Sequence, residues 1–167
     1  ASLGQGLLVR KVWEKMQTGA CLEETWQYAR DLVPHLCHWF TVNDLHALQR
    51  GGRVSKTTAV LGSALQIKPV LHVDDEGRLM KIGTVRGRKA SLVALKDKLK
   101  AAITDPEEQT IYISHGDCIE DAQYLEKLAK EKYGVKNVVI YYVGAVIGSH
   151  SGPGTVALFF WGDERVD

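Results

Sequence analysis

The sequence is poor in cysteine, in long apolar runs and in excess charge, and each shortage argues against a class of protein. Its three cysteines, Cys21, Cys37 and Cys118, are scattered without CxxC spacing, which argues against a disulfide framework and against a zinc knuckle. No apolar run approaches the roughly 18 to 20 residues of a membrane span, and the N-terminus lacks the regions of a signal peptide. We therefore expect a protein of the reducing cytoplasm.

Charge is almost balanced, because 21 basic residues meet 20 acidic ones. This balance offers no general electrostatic case for binding nucleic acid or an anionic membrane. The 167 residues, 45% of them hydrophobic, suit one globular domain that buries about two thirds of its unfolded surface. We find no repeat, low-complexity linker or metal-ligand spacing, so we expect neither a metal nor another cofactor. The helical pattern begins almost at Ala1, which leads us to expect a fragment whose upstream part is missing.

Hydrophobic periodicity and turn signals divide the chain into alternating helices and strands. Helices are predicted over 7–16, 22–34, 44–48, 57–65, 90–103 and 119–133. Strands are predicted over 37–42, 111–114, 138–143 and 156–161, with two more in 68–86 around a turn at Asp74–Gly77. This pattern predicts an α/β (α+β, two-layer) domain with a mixed six-stranded sheet flanked by helices.

Two glycine-containing segments are the main candidates for a ligand site: Arg50–Ser55 (RGGRVS) and Gly148–Gly154 (GSHSGPG). Each places polar or basic groups between glycines that let backbone and ligand approach closely. The segments could close one site for a small anionic head group, because guanidinium groups pair well with carboxylates. For the glycines alone, a helix end followed by a tight turn is the better explanation. A nucleotide loop is excluded, since Ser55 stands where that motif requires glycine.

Histidines supply further candidates. His150 lies in the second segment, which we expect to be a loop between strands. For a histidine in such a loop, contact with a ligand is favoured over simple exposure to solvent. By contrast, we expect structural or exposed roles for His35, His38, His46 and His72. The run Ser114–Asp117 (SHGD) has the residue types of a catalytic group, but neighbours on a strand point to opposite faces. It is better explained as a strand end, with its aspartate capping the next helix.

Several ordered motifs resemble the DegV family. They are HWFTVNDL at 38–45, LQRGGRVS at 48–55, IKPVL at 67–71, IGSHSGPG at 147–154 and, at the start, SLGQGLLV at 2–9. The resemblance covers essentially the whole chain, and the ordered set is far more specific than any single motif. We therefore identify the sequence as similar to the second domain of DegV proteins.

That resemblance implies a two-domain bacterial protein, with residues 1–167 as its C-terminal lipid-binding domain and the N-terminal domain absent. It implies a non-catalytic carrier that presents the carboxylate of a long-chain fatty acid to a fatty acid kinase for acyl phosphate formation. In the family, the histidine matching His150 holds the carboxylate together with hydroxyl groups of the N-terminal domain. The arginine matching Arg53 lies near the head group.

The acyl tail needs an apolar wall. Its candidates are Phe40, Val42, Val60, Leu61, Ala64, Leu65, Ile67 and Val70, for each of which an ordinary core position is at least as good an explanation. The ligand-binding set that we predict is His150, Arg53, Arg50, Ser149, Gly152, Phe40, Leu61, Leu65 and Ile67, with no catalytic residue. Two alternatives stay open: a substrate-binding subunit like that of dihydroxyacetone kinases, with a hydroxyl-rich pocket, and a structural or protein-interaction domain.

Overall fold

The computed structural model describes residues 2–43, 45–55, 66–163 and 165. The helices are α1 (Leu3–Met16), α2 (Leu22–Leu32), α3 (His46–Arg50), α4 (Arg88–Ala102), α5 (Ile119–Tyr133) and α6 (Ala145–Ser151). The strands are β1 (Leu36–Thr41), β2 (Ile67–Val73), β3 (Leu79–Arg86), β4 (Thr110–His115), β5 (Asn137–Tyr142) and β6 (Val156–Trp161). The helix predicted over 57–65 lies outside the described residues.

The strands form one six-stranded sheet in the order β3-β2-β1-β6-β4-β5. Strands β4 and β5 are parallel and are connected by α5, whereas the other neighbouring strands of the described chain are antiparallel. The mixed six-stranded sheet flanked by helices is therefore confirmed. The Asp74–Gly77 turn also joins β2 to β3 as predicted, and the Asp74 carboxylate accepts a hydrogen bond from the backbone N–H of Arg78 at 2.7 Å.

One face of the sheet carries the larger core. Helix α4 places Leu92, Leu95 and Leu99 on a single side, because residues three to four apart share a helix face. They pack against alternate residues of the central strands, including Trp39 of β1 and Phe160 of β6. Each such leucine contributes about 1.5 to 3 kcal/mol through burial, so this contact fixes the helical layer on the sheet.

Helix α1 crosses part of the opposite face. Its Leu7 is 2% exposed and belongs to a second apolar cluster that includes Phe40, Phe159 and Trp161. Gly4 permits this approach, because a Cβ at that position would lie only 2.6 Å from both the Nε2 atom of His38 and an edge carbon of Phe159. The rest of this face is left for a cavity.

The prediction for Asp117 is wrong. Helix α5 begins at Ile119 with Cys118 as its N-cap, and Asp117 instead adopts a left-handed conformation with φ of 53°. The backbone N–H of Cys118 donates to Nδ1 of His115 at 3.3 Å, so the turn after β4 is organised by the histidine. Among the described residues, every helix is too short or too polar to cross a bilayer.

Candidate functional site

A cavity of about 260 Å³ lies on the sheet face that α1 leaves open. Most of its lining is apolar, and its floor is formed by side chains from the central strands β1, β6 and β4. The remaining walls come from the β2–β3 hairpin, from the start of α1 and from the ends of α3 and α6. The lining residues are Ser2, His38, Phe40, Leu48, Arg53, Val73, Gly77, Leu79, Ser114, Val143, Val146, Ile147, His150, Ser151, Thr155, Ala157 and Phe159.

The two glycine-containing segments meet at the rim of this cavity. Gly51, which ends α3, packs so closely against the imidazole of His150 that a Cβ there would overlap its Nδ1 atom. Gly152, which follows α6, likewise faces Ala47, and an added Cβ would lie 3.2 Å from the Cβ of Ala47. The glycines thus let two helix ends approach each other and hold His150 between α3 and the cavity.

His150 does not lie in an extended loop, and that expectation is corrected. It occupies the last turn of α6, whose backbone hydrogen bonds include Gly148 N–H to the Gly144 carbonyl and Gly152 N–H to the Gly148 carbonyl, both 2.8 Å. Glycine and serine are weak helix formers, so local propensity argued against a helix here. Packing of α6 against α3 supplies the stabilisation that the local sequence lacks.

The predicted polar residues divide between two places. Arg53 is exposed at the cavity rim, where its Nη1 atom donates to the Gly51 carbonyl at 2.7 Å and holds the guanidinium over its own turn. Arg50, Ser149 and Gly152 instead line a separate open depression beside α3 and are absent from the cavity lining. The structure therefore brings His150 and Arg53 together at one apolar cavity.

The predicted tail residues are also divided. Phe40 lies on the cavity wall, and Val42 belongs to the apolar cluster on that face. Val70 packs in the core on the opposite face, whereas Ile67 is half-buried at the start of β2 and does not line the cavity. The other candidates, Val60, Leu61, Ala64 and Leu65, lie outside the described residues.

Sequence reasoning missed His38, which it expected to be structural or exposed. The ring is 7% exposed and forms part of the cavity wall, with an edge-to-face contact to Phe159 at 5.2 Å. Within the described part of the chain, neither ring nitrogen has a hydrogen-bond partner. Burial, assisted by nearby positive charge, lowers the pKa of His38 to about 3, so the ring is neutral at physiological pH.

Ser114 is a second buried polar group in the lining. Its Oγ atom has no hydrogen-bond partner among the residues described here. As predicted from strand geometry, its neighbour His115 points to the other face, where the ring contacts Tyr142 at 4.5 Å. A catalytic triad within this run is therefore excluded, because the side chains of Ser114 and His115 lie on opposite faces of the sheet.

Val73 and Leu79 complete one end of the cavity, and sequence reasoning assigned them only to a hairpin. Phe159 was likewise assigned only to a strand. The pairing register of β1 with β6 is what identifies Phe159 as a cavity residue. His38 pairs with Phe159, which places both side chains on one face of the sheet. That register depends on the order of distant strands, which the sequence pattern does not contain.

Comparison with known proteins places this geometry in context. Residues 1–163 match a family model described as "Uncharacterised protein, DegV family". A DegV domain-containing protein of Clostridium perfringens (strain 13 / Type A) is 47% identical over 165 residues, which are 99% of this chain and 57% of that protein.

Solved structures give the same result. A DegV family protein from Thermus thermophilus, described as fatty acid binding, is 30% identical, with a TM-score of 0.84 over 97% of this chain and 58% of that one. The Streptococcus pneumoniae Fatty Acid Kinase (Fak) B3 protein loaded with linoleic acid is 22% identical, with a TM-score of 0.85 over 94% and 55%, and this likeness shows the fold. The chain thus spans a little over half the length of these proteins.

Proposed function

The chain belongs to the DegV family, and from that premise we propose that it supplies the acyl-binding part of a fatty acid carrier. The acyl tail occupies the cavity on the open sheet face, and the carboxylate lies at the rim beside His150 and Arg53. The observation that carries this proposal is an apolar cavity whose lining includes His150 and Arg53, which both contact Gly51 at the rim. A fatty acid has the same division into apolar chain and anionic head.

Energetics favour this division of the ligand. Burying about 14 methylenes at roughly 0.8 kcal/mol each yields on the order of 11 kcal/mol before the costs of binding, so the tail supplies most of the affinity. A carboxylate carried into such a site needs a partner, because burying an unpaired charge is costly. His150 and Arg53 supply nitrogen donors for the carboxylate at this rim, beside the hydroxyl group of Ser151.

The cavity is small for a long-chain ligand. Its volume of about 260 Å³ is below the roughly 300 to 1,000 Å³ typical of small-molecule pockets. Full-length relatives are longer, with this chain matching 57% of the C. perfringens protein. We therefore propose that the described residues form one side of the site and that an N-terminal domain supplies the remaining head-group contacts.

The proposal includes presentation of the carboxylate to a fatty acid kinase, with this protein as a non-catalytic partner. A kinase must reach the carboxylate while the acyl tail stays buried. The exposed position of Arg53 at the rim is compatible with that access. This part rests on the family motifs, and a fatty acid kinase B3 protein shares the fold.

The alternatives have less support. A substrate subunit like that of dihydroxyacetone kinases needs a hydroxyl-rich pocket for a polar sugar, whereas most of this lining is apolar. A purely structural domain would have no use for buried polar side chains that face a cavity without partners.

The test is a comparison of a fatty acid with its methyl ester, using the full-length protein. We expect His150→Ala to weaken binding of the acid by about 10-fold to 150-fold, as for a hydrogen bond to a charged group worth roughly 1.5 to 3 kcal/mol. Binding of the ester should scarcely change, because it lacks the anionic acceptor. His35→Ala is the matched control, since His35 is exposed before β1 and does not line the cavity. Equal losses for acid and ester would contradict the assignment of His150.

A further inference from the structure

We infer that the cavity carries a second recognition element at the end remote from His150, where His38 binds a hydroxyl group on the acyl chain. The ligand class is a fatty acid with a mid-chain hydroxyl substituent. This inference rests on the proposed function and adds a preference within it. It assigns to His38 a specificity role separate from carboxylate binding.

The first step is the state of the His38 side chain. A ring that is 7% exposed, with both nitrogens unpartnered in the described structure, has lost its hydrogen bonds to water without replacing them. Such groups are rare in folded proteins, because an unsatisfied buried donor or acceptor is destabilising. A plain hydrocarbon tail in the cavity would leave both nitrogens in that state.

The second step is position. Thr41 pairs with Val156 at the end of the β1–β6 ladder, so the next residue, Val42, lies opposite Thr155 near the rim. His38 lies four residues earlier on the same chain segment, which corresponds to roughly 13 Å along an extended strand. The ring therefore meets the middle or far part of a chain whose carboxylate lies at His150, and it cannot bind that carboxylate at the same time.

The surroundings of His38 at this end are consistent with a small polar subsite. The ring contacts Phe159 on one side and lies beneath Gly4 of α1 on another. Ser2, two residues before Gly4, lines the same cavity, and its Oγ atom also has no partner among the residues that the structure describes. Val73 and Leu79 supply the apolar remainder of the wall.

The third step is chemical matching. Because burial keeps the imidazole neutral, one of its nitrogens donates and the other accepts a hydrogen bond. A hydroxyl group has the same two capacities and can pair with a ring nitrogen whether that nitrogen donates or accepts. A second carboxylate is a poorer match, because the neutral imidazole offers it a single donor and no charge of its own.

The experiment measures binding of three ligands of equal chain length to the full-length protein: the plain fatty acid, its alpha-hydroxy derivative and a mid-chain monohydroxy derivative. We expect the mid-chain hydroxy acid to bind about 2-fold to 13-fold more tightly than the plain acid, as one new neutral hydrogen bond permits. The alpha-hydroxy acid should show no such gain, because its hydroxyl stays at the rim.

Variants then assign the preference. His38→Leu should abolish the preference for the mid-chain hydroxyl, and His38→Gln, which keeps a donor and an acceptor, should retain part of it. His150→Ala should weaken all three acids while leaving the preference intact. If His38→Leu does not fold, His38→Gln makes the assignment, since it should reduce the preference for the mid-chain hydroxyl, and an undiminished preference would overturn the role of His38.

The outcomes separate the two proposals. Tight binding of the plain acid without any preference for the mid-chain hydroxyl would overturn the role of His38 and leave fatty acid binding intact. A preference that survives in His38→Leu would also overturn it. Failure of every acid to bind would instead refute the proposed function.

Discussion

The substitution Gly51→Ala tests whether the close packing of α3 against α6 positions His150. Gly51 has a φ of −76°, which any L residue adopts, so alanine introduces no backbone strain there. The new Cβ would overlap Nδ1 of the His150 ring and would lie 3.2 Å from its Cγ atom and 3.3 Å from its Cβ atom. The imidazole must therefore move away from its position at the cavity rim.

The expected magnitude follows from the contact that is lost. If His150 donates a hydrogen bond to the carboxylate, displacing the ring removes up to about 1.5 to 3 kcal/mol, or a factor of about 10 to 150 in fatty acid affinity. Global stability should change by less than about 1 kcal/mol, because replacing a glycine at an allowed φ lowers the entropy of the unfolded chain and offsets part of the local repulsion.

The assay is titration of the full-length protein with a fatty acid, combined with a double-mutant cycle. Gly51→Ala should weaken binding in the wild-type background but have little further effect in His150→Ala, where the added methyl group no longer meets a ring. Gly83→Ala is the control, since a Cβ at Gly83 has no described atom within 4 Å. Wild-type affinity for Gly51→Ala, or equal losses in both backgrounds, would refute the positioning role.

Two further predictions concern charge. Arg53→Ala should slow acyl phosphate formation at saturating lipid while leaving the fold intact, because Arg53 lies at the rim rather than in the apolar interior. Arg50→Ala is the control, since Arg50 lies outside the cavity. Unchanged turnover in Arg53→Ala would contradict the assignment. Since burial lowers the pKa of His38 from 6.5 to about 3, the unfolded state takes up the proton first on acidification. The free energy of unfolding should therefore fall below about pH 6.5, with His38 accounting for about 2 kcal/mol at pH 5. Denaturant unfolding of wild type and His38→Leu checks this, and an identical pH dependence in both would be the contrary result.

Local sequence patterns determined most of the secondary structure. The predicted bounds 119–133 and 156–161 coincide with Ile119–Tyr133 and Val156–Trp161, because long periodic or continuous apolar segments leave few alternatives. The Asp74–Gly77 turn was equally clear, since aspartate and glycine favour tight turns. Ordered motifs over the whole length also indicated the family.

The face that each central residue presents was decided by the tertiary structure. All six residues of β1 are buried, so this strand lacks the polar alternation that distinguishes an inner from an outer face. Only pairing with β6 reveals that His38 and Phe40 face the cavity while Trp39 faces the α4 layer. For that reason, His38 could not be separated from an ordinary core histidine by its sequence context.

The site itself depends on contacts between distant segments. Gly51 and His150 are 99 positions apart in the chain, yet they touch. Strands β1 and β6 are adjacent and antiparallel, so α3, which follows β1, and α6, which precedes β6, lie at the same end of the strand pair. The sequence by itself determined that both segments carry glycines and basic groups suited to an anion. Only the order of the strands decided that the two lie at one cavity, because spatial proximity of remote residues arises from sheet pairing and not from local conformational preference.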